Sequence, residues 1–554
     1  MRARGSPKQP SRQPSTAGEL CAVRQVRESA HALLAEGKIE EAFEFCVSAL
    51  EAVLRKTTQL ELLLAKMQKQ RLGTRSERID PAQLQMLFEE LCQQGGPEPP
   101  ADPEVEARED AELDREIEEA EQAGKEQGKA SGQRRRQADV RTTAVERRVH
   151  RLEVPEAERH CVPCGVDKQR IGEDVTTSLE YVPGHFVKHE YHKDKLACPK
   201  CREGVTTAEG PERVIERNTA DASLLAHVVV SKYVDHCPLH RLHNIYARSG
   251  AWIPVSTLSD WAAEVAELLE PLADKLGKRI LTADVVKTDA TGIKVLAPSS
   301  PQNIERGTMW CYVGDDRDVV FRYAPTGEGE TGPWEFLAGR TGYVQADAAN
   351  VFDRVFNGQV ASAVEVGCWA HGRRRMVDLQ DMDCRVAYPL KLIGRLYRIE
   401  HLADAKNLSI DQRTSLRKQR SQGILDRLKR WLVTTHASEP PSADLAKATA
   451  YILNHWQALT RFVDDGRLSL DNNICEQQLR AIALGRRNYL FCGSHKAAER
   501  AAVLYTLTRT CAQHAVPPLP YLTDVLRKLG RGWPQSRLEE LLPHPWQAAP
   551  ANQP

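Results

Sequence analysis

Two Cys-x-x-Cys pairs in the second quarter of the chain limit most strongly how this sequence can fold. They are Cys161-Val-Pro-Cys164 and Cys198-Pro-Lys-Cys201, and 33 residues separate them. Each pair lets two thiolates reach one metal ion from a tight turn, and four thiolates complete the tetrahedral shell that suits Zn²⁺. A closed shell leaves no position for water, so we expect a structural zinc in a small unit, 150–217. Incidental thiols or a redox pair are the alternative.

The interval between the two pairs is longer than the usual spacing of such sites. It therefore predicts a β-rich insertion, with Leu179–Val182 and His185–His189 as the strands of a hairpin.

A chain of 554 residues exceeds the size of a single hydrophobic core, so several folded units are expected. No apolar run is long enough to span a bilayer, and the basic, polar residues 1–18 do not form a signal peptide. We therefore expect a cytoplasmic protein with no membrane contact, whose cysteines are thiols or metal ligands. The zero net charge argues against an indiscriminate polycation.

The region 1–94 reads as a disordered tip followed by a helical region. Apolar residues recur at three- and four-residue steps from Leu50 to Met67, which predicts one apolar helix face. This face fits either a helix of a small bundle or the seam of a coiled-coil dimer.

Charge is concentrated in the next segment, 95–149. Residues 101–124 hold eleven acidic and two basic side chains, whereas 125–151 hold nine basic and three acidic ones. Such blocks are typical of solvated, poorly ordered linkers, and a basic arm can also contact nucleic acid.

A helical segment is expected at 218–279. Pro238–Ser249 reads as one helix, Gly250 as a break, and Ser256–Leu269 as a second helix capped by Ser256. This arrangement fits a plain helical hairpin or a DNA-reading helix-turn-helix.

The pattern changes to β-like runs at Ile280 and returns to helices after Cys368. The runs predict strands, with Gly292 at a turn between the first two: Leu281–Lys287, Thr291–Leu296, Met309–Val313, Asp318–Tyr323 and Gly342–Ala346. Strands followed by a long helical stretch and a last acid-bearing helix near Asn472 predict an α+β, multidomain fold.

Two aspartates each follow a β-like run. Asp289 ends Val285-Val286-Lys287-Thr288-Asp289, and Asp347 ends Tyr343-Val344-Gln345-Ala346-Asp347. Carboxylates from separate segments hold the two metal ions of many phosphoryl-transfer sites. Either residue alone could equally be a turn or cap residue.

A third acid, Glu476, lies four residues before Arg480, so both side chains share one helical face. This helical face could carry both a metal-binding carboxylate and a phosphate-binding guanidinium, with Arg486 and Arg487 nearby. The alternative is a capping box in which Asn473 caps the helix and Glu476 closes it.

A further cluster runs from Cys368 to Arg375. Its Cys, Trp and His could be core residues beside a solvated arginine face, or the Trp and arginines could bind DNA. No P-loop and no nucleophile elbow occurs, which disfavours ATP use and serine hydrolysis.

In this order, the motifs resemble the transposases of the insertion sequence 66 family, from about residue 60 to 529. The resemblance rests on the following segments: Leu72-Gly73-Thr74-Arg75-Ser76-Glu77-Arg78, with Leu72 in place of the family's Phe; the stretch from Cys161 to Cys201; Ser231-Lys232-Tyr233 with Pro238-Leu239-His240-Arg241; Asp289-Ala290-Thr291, where the family has Asp-Glu-Thr; Cys368-Trp369-Ala370-His371; and Asp471-Asn472-Asn473 through Glu476 and Arg480 to Leu484-Gly485-Arg486-Arg487-Asn488 and Phe491-Cys492-Gly493-Ser494.

The resemblance implies a DDE triad of Asp289, Asp347 and Glu476 that holds two Mg²⁺ ions. It implies an RNase H-like catalytic domain at 280–510 with a helical insert at about 376–466, followed by a C-terminal helical segment, 511–554. The expected DNA-binding residues are His371, Arg373, Arg374, Arg375, Arg480, Arg486 and Arg487.

The implied partners are the element's terminal repeats, target DNA, further copies of this chain and accessory proteins from the same element. Two alternatives stay open: a nuclease that does not join strands, and a zinc-containing DNA-binding protein with an inactive acid site.

Overall fold

The computed structural model describes residues 103–129, 160–161, 163, 166–167, 184–196, 206–215, 218–300, 302–347 and 349–546. The predicted N-terminal helical region lies outside these residues, as do Leu179–Val182 and the cysteines Cys164, Cys198 and Cys201. Cys161 is described only as part of a strand.

The acidic block forms a helix, α1 (Pro103–Lys129), and not the poorly ordered linker expected from its charge. Within α1 the side chain of Glu106 is buried, and the carboxylate of Asp110 binds Arg395 at 2.7 Å. Arg395 is 285 positions away from Asp110 in the sequence, so the local charge pattern could not predict the helix.

The cysteine-rich region contains two short antiparallel ribbons. β1 (His160–Cys161) pairs with β2 (Val166–Asp167), and β3 (Lys195–Leu196) pairs with β4 (Thr206–Thr207). The hairpin strand expected at His185–His189 is wrong, because these residues have no regular secondary structure.

Three helices follow: α2 (Ala222–Tyr233), α3 (Leu239–Arg248) and α4 (Val255–Thr282). The break between the last two is confirmed, and Gly250 has the positive φ (+86°) that favours glycine. The predicted cap at Ser256 is wrong: Pro254 precedes the helix, and Ser256 lies in its first turn.

The central element is a five-stranded mixed sheet. Its strands and the two short helices between them are β5 (Val285–Leu296), β6 (Ile304–Gly314), β7 (Asp318–Ala324), α5 (Pro333–Phe336), β8 (Tyr343–Gln345), α6 (Asp353–Phe356) and β9 (Val364–Val366). The strand order is β7-β6-β5-β8-β9. β5, β6 and β7 are antiparallel, and β8 and β9 extend the sheet in parallel with β5.

The predicted turn at Gly292 is wrong. β5 continues through this residue, which pairs with Thr308 in an unbroken ladder from Val286 to Leu296. Cross-strand pairing over eleven residues outweighs the weak strand propensity of one glycine.

The helical stretch after the sheet comprises α7 (Trp369–Val377), α8 (Ala387–Ala405), α9 (Ile410–Ser438), α10 (Asp444–Asn454) and α11 (Trp456–Thr460). Trp369 is fully buried and packs edge-on against Trp456, with ring centroids 6.2 Å apart. Trp369 is therefore a core residue, and its suggested role in stacking on DNA bases is wrong. Where the chain leaves the sheet, the N–H of Gly367 donates to the carbonyl of Ala458 (3.0 Å).

The last helices are α12 (Asn473–Tyr489), α13 (His495–Gln513) and α14 (Pro518–Gly530). α12 packs against β5 and β6, and α13 packs against β7. On the edge strand β7, the N–H groups of Val319 and Phe321 donate to the hydroxyls of Thr510 and Thr506 on α13. α13 thereby satisfies backbone groups that an open sheet edge would expose.

The described chain divides into two compact units. One, the helical unit, contains the described residues up to Asp110 with Trp369–Ile399 and Gln419–Trp456; the other, the sheet unit, contains the remaining described residues. None of the described helices combines the length and apolar character that a bilayer-spanning helix needs.

Candidate active site

Asp289 lies within β5, and Asp347 lies two residues beyond the end of the neighbouring parallel strand β8. The register of β5 and β8 pairs Lys287 with Gln345, and each aspartate follows its paired residue by two positions. Side chains alternate between the faces of a sheet, so Asp289 lies on the same face of β5 as Lys287. Asp347 follows the strand that pairs with this part of β5, so the two expected acids lie in neighbouring segments of the chain fold.

The same face binds the segment that leads into α12. Lys287, which is 4% exposed, donates to the hydroxyl of Ser469 (2.6 Å) and forms an ion pair with Asp316 (2.8 Å). The amide of Gln345 donates to the carbonyls of Ser469 (2.8 Å) and Gly367 (3.0 Å). Lys287 and Gln345 are thus positioning residues that the sequence analysis missed. The available signal was a polar residue in an apolar strand, two positions before each aspartate.

Asn472 joins the start of α12 to β5. Its side-chain amide donates to the carbonyl of Thr288 (2.7 Å), and its backbone N–H donates to the sulfur of Cys368 (3.3 Å). Asn473 is already inside the helix, and its N–H donates to the carboxylate of Asp471 (3.1 Å). The capping-box alternative centred on Asn473 is therefore wrong, since Asn472 precedes the helix and uses its side chain for a long-range bond.

The residue before the third acid is packed beside the first acid. Cys475 is fully buried beside Cys311, which is the cross-strand partner of Asp289. Burial raises the pKa of the Cys475 thiol well above its ordinary value, and the contact with Cys311 and the charge of Asp289 act in the same direction. The first turn of α12, which carries Glu476, therefore lies against the sheet at Asp289.

These anchors bring the first turn of α12 to the sheet beside Asp289, and Asp347 follows the neighbouring strand β8. Within the described ranges, however, no group of three or more His, Cys, Asp or Glu side chains is close enough together to hold a metal ion. The donor chemistry still fits Mg²⁺, because carboxylate oxygens are the hard ligands that this ion prefers.

The arginines of α12 divide into two kinds. Arg480 and Arg487 are exposed, and their spacing places them on the helical face of Glu476. Arg486 is half-buried and donates to the hydroxyl of Thr291 on β5 (3.0 Å). Arg486 therefore ties α12 to the sheet, whereas Arg480 and Arg487 present their guanidinium groups to solvent.

The remaining sequence-predicted residues belong to the helical unit. Arg373, Arg374 and Arg375 are exposed on α7, and the guanidinium of Arg375 lies 4.0 Å from the ring centroid of Tyr451. His371 is half-buried, and its Nδ1 has no hydrogen-bond partner among the described residues.

Comparison with protein-family models gives three matches. Residues 217–500 match the model described as "Transposase IS66 family", and residues 506–544 match the "IS66 C-terminal element". Residues 158–202, which include all four paired cysteines, match the "zinc-finger binding domain of transposase IS66".

The chain is also similar to two proteins of Sinorhizobium fredii, the uncharacterized proteins y4hP and y4qI. Each is 31% identical to it, over 418 and 411 residues respectively. The matches cover 71% and 72% of this chain, and 74% and 75% of the two relatives.

Proposed function

The chain belongs to the IS66 transposase family, and from this premise we propose that it is a DNA transposase acting on the ends of an insertion sequence. The proposed reaction is hydrolysis of a phosphodiester at each element end, followed by attack of the freed 3′-OH on target DNA. The observation that supports it best is the pairing of β5, which carries Asp289, with β8, which leads to Asp347, together with the anchoring of the first turn of α12 beside Asp289.

In this proposal Asp289, Asp347 and Glu476 form the DDE triad and would hold two Mg²⁺ ions. Ions bound there would activate the attacking oxygen and stabilise the leaving oxygen. The mixed sheet is compatible with the RNase H-like fold that the family resemblance implies, with a helical insert at about 376–466.

The chain's own residues would position the DNA. Arg480 lies one turn beyond Glu476 and would neutralise phosphate charge near the scissile bond, whereas Arg487, in the last turn of α12, would bind the DNA backbone farther away; both are exposed. The exposed Arg373–Arg375 would bind the backbone elsewhere, and His371 would lie by the DNA. Arg486 would act indirectly, by holding α12 on β5.

The four paired cysteines would hold a structural Zn²⁺, because four thiolates fill its tetrahedral shell. Together with the helices α2 to α4, this zinc unit would recognise the element ends. The N-terminal helical region would pair copies of the chain, and proteins encoded by the same element would assist.

The test is cleavage of a labelled supercoiled plasmid that carries the element ends, with the element's other proteins present. Wild type is compared with Asp289→Asn, Asp347→Asn and Glu476→Gln, each in Mg²⁺ or EDTA. We expect Mg²⁺-dependent cutting at the ends that each substitution abolishes while DNA binding remains. The control is Asp353→Asn, which removes an exposed carboxylate of the same unit and should leave cutting unchanged.

Two outcomes would replace the proposal. Cleavage without joining of pre-cut ends to a target plasmid would identify a nuclease. End binding without cleavage, unchanged in all three variants, would identify a zinc-containing DNA-binding protein whose acid site is inactive.

A further inference from the structure

The acidic helix α1 covers a group of cations in the helical unit that the proposed function does not use. We call this group the basic cluster; it consists of Lys391, Arg395 and Arg398 on α8 and Arg427 on α9. The three residues of α8 recur at four- and three-residue steps, so they line one face of that helix.

Asp110 makes the closest contacts with this cluster. Its two carboxylate oxygens accept from Nε and Nη2 of Arg395 at 2.7 and 2.8 Å, in the bidentate geometry that guanidinium groups also form with phosphate. The same carboxylate accepts from Arg398 at 2.9 Å.

Two neighbouring acids complete the cover. The carboxylate of Glu106 lies 3.3 Å from the ammonium of Lys391, and the carboxylate of Glu109 accepts from Arg427 at 3.1 Å. Three carboxylates of α1 thus lie against the four cations of the basic cluster.

The pairing is incomplete at its buried centre. Arg395 is 3% exposed, and its Nη1 lacks a hydrogen-bond partner among the described residues; the nearest carboxylate, that of Glu109, is 3.6 Å away. A buried guanidinium with an unsatisfied donor has lost hydration that α1 does not fully replace. A polyanion with more acceptors could therefore compete with α1 for this surface.

We propose that the basic cluster is a binding surface for the DNA phosphate backbone, and that α1 occupies it as an acidic substitute until DNA displaces the helix. DNA is the polyanion because the chain is proposed to act on DNA, so the inference rests on the proposed function in this respect. The arrangement would suppress binding to arbitrary DNA, because a tethered helix competes at high effective concentration.

The test measures binding of the full-length protein to a short blunt duplex of arbitrary sequence, as salt is raised. The test variant, Glu106→Gln/Glu109→Gln/Asp110→Asn, removes the charges that face the cluster. The control, Glu112→Gln/Glu118→Gln/Glu119→Gln, removes the same number of charges from exposed positions of α1. Binding of an arbitrary duplex requires neither the element ends nor the acid triad. A negative result in this binding test can therefore be distinguished from a negative result in the cleavage assay.

We expect the test variant, but not the control, to bind the duplex more tightly at low salt. Four newly accessible cations should make the slope of log K against log[salt] more negative by about three to four. Raising the salt from 50 to 200 mM should then weaken DNA binding by the test variant about 100-fold more than DNA binding by the wild type. Adding Lys391→Gln/Arg398→Gln/Arg427→Gln to the test variant should return the slope to within about one of the wild-type value, because Arg395 remains. Equal effects of test and control variants would overturn the proposal.

Hydrogen exchange of the wild-type protein gives a second readout that needs no variant. Saturating duplex at low salt should reduce the protection of amides at 104–110, because DNA displaces the helix. Unchanged or increased protection there would show that α1 is a permanent part of the helical unit, and the proposal would be overturned.

Discussion

The side chain of Asn472 offers the sharpest test of how the third acid is positioned. Asn472 is 1% exposed, and its amide donates to the carbonyl of Thr288, one residue before Asp289. Substitution of Asn472 by Ala removes this bond and leaves the carbonyl buried. The first turn of α12, with Glu476, should then separate more easily from β5.

The size of the effect follows from the contacts. A buried carbonyl that loses its partner costs about 1–3 kcal/mol. Part of this cost is offset, because the substitution also removes Asn472 Oδ1, a buried atom without a hydrogen-bond partner among the described residues. We therefore expect a local destabilisation of about 1–2 kcal/mol, which corresponds to a roughly 5- to 30-fold change in a local opening equilibrium.

The assay is native-state hydrogen exchange of α12, because a single unfolding free energy is poorly defined for a chain of several units. The control is Asn473→Ala, one residue later. Asn473 is exposed, and its side-chain amide donates to Asp471 (2.6 Å), so we expect a change within about 0.5 kcal/mol. A larger effect at Asn473 than at Asn472 would mean that local capping holds the helix, and the long-range argument would be refuted.

Further predictions concern the other contacts of this face. Lys287→Met loses the bonds to Ser469 and Asp316, so the rate of plasmid cleavage should fall at least tenfold, while duplex binding is unchanged. A tenfold fall corresponds to an increase of about 1.4 kcal/mol in the activation free energy. Since the Cys475 thiol is fully buried and its pKa is raised, iodoacetamide at pH 8 should alkylate it only after unfolding gives the reagent access, as mass spectrometry can show. Arg486→Ala removes the bond to Thr291 and should lower the hydrogen-exchange protection of α12 by about 1 kcal/mol, or roughly fivefold, whereas its exposed neighbour Arg487→Ala should only reduce the salt slope of DNA binding by about one.

The sequence predicted the strands best where the pattern was local. Met309–Val313 and Asp318–Tyr323 lie in β6 and β7, and Gly342–Ala346 brackets β8. These runs are rich in β-branched and aromatic residues, and turn residues bound them, so neighbouring positions carry the information.

The failures share a physical cause, which is bonding between residues distant in sequence. The acidic block forms a helix in which Asp110 binds Arg395, and β5 passes through Gly292 because β6 pairs with it throughout. Likewise, Lys287 binds Ser469 across 182 positions. Hydrophobic periodicity and secondary-structure propensity depend only on residues that are close in sequence. They therefore could not predict contacts between residues that are far apart in the chain.

The candidate site was only partly accessible to sequence reasoning. The positions of Asp289 and Asp347 after apolar runs pointed to neighbouring strands, and β5 and β8 are indeed paired. The expectation that Asp289 ends its strand is wrong, because β5 continues to Leu296. The metal-binding roles of these acids, and that of Glu476, stay predictions. The four cysteines of the zinc prediction lie in a region whose side chains are outside the described residues.

The hydrogen bond between Gly367 and Ala458 has a consequence for how this chain can change over time. It fastens together the two points between which the chain runs from β9 through the helical stretch to α11. When both ends of an inserted segment are held in place, each doubling of the segment's length costs only about 0.6 kcal/mol of closure entropy. The parts of this stretch that belong to the helical unit can therefore change in length at little cost in closure entropy. Residues 400–418 are constrained instead, because Arg417 donates to the carbonyls of Phe462, Asp465 and Leu468 in the segment before α12.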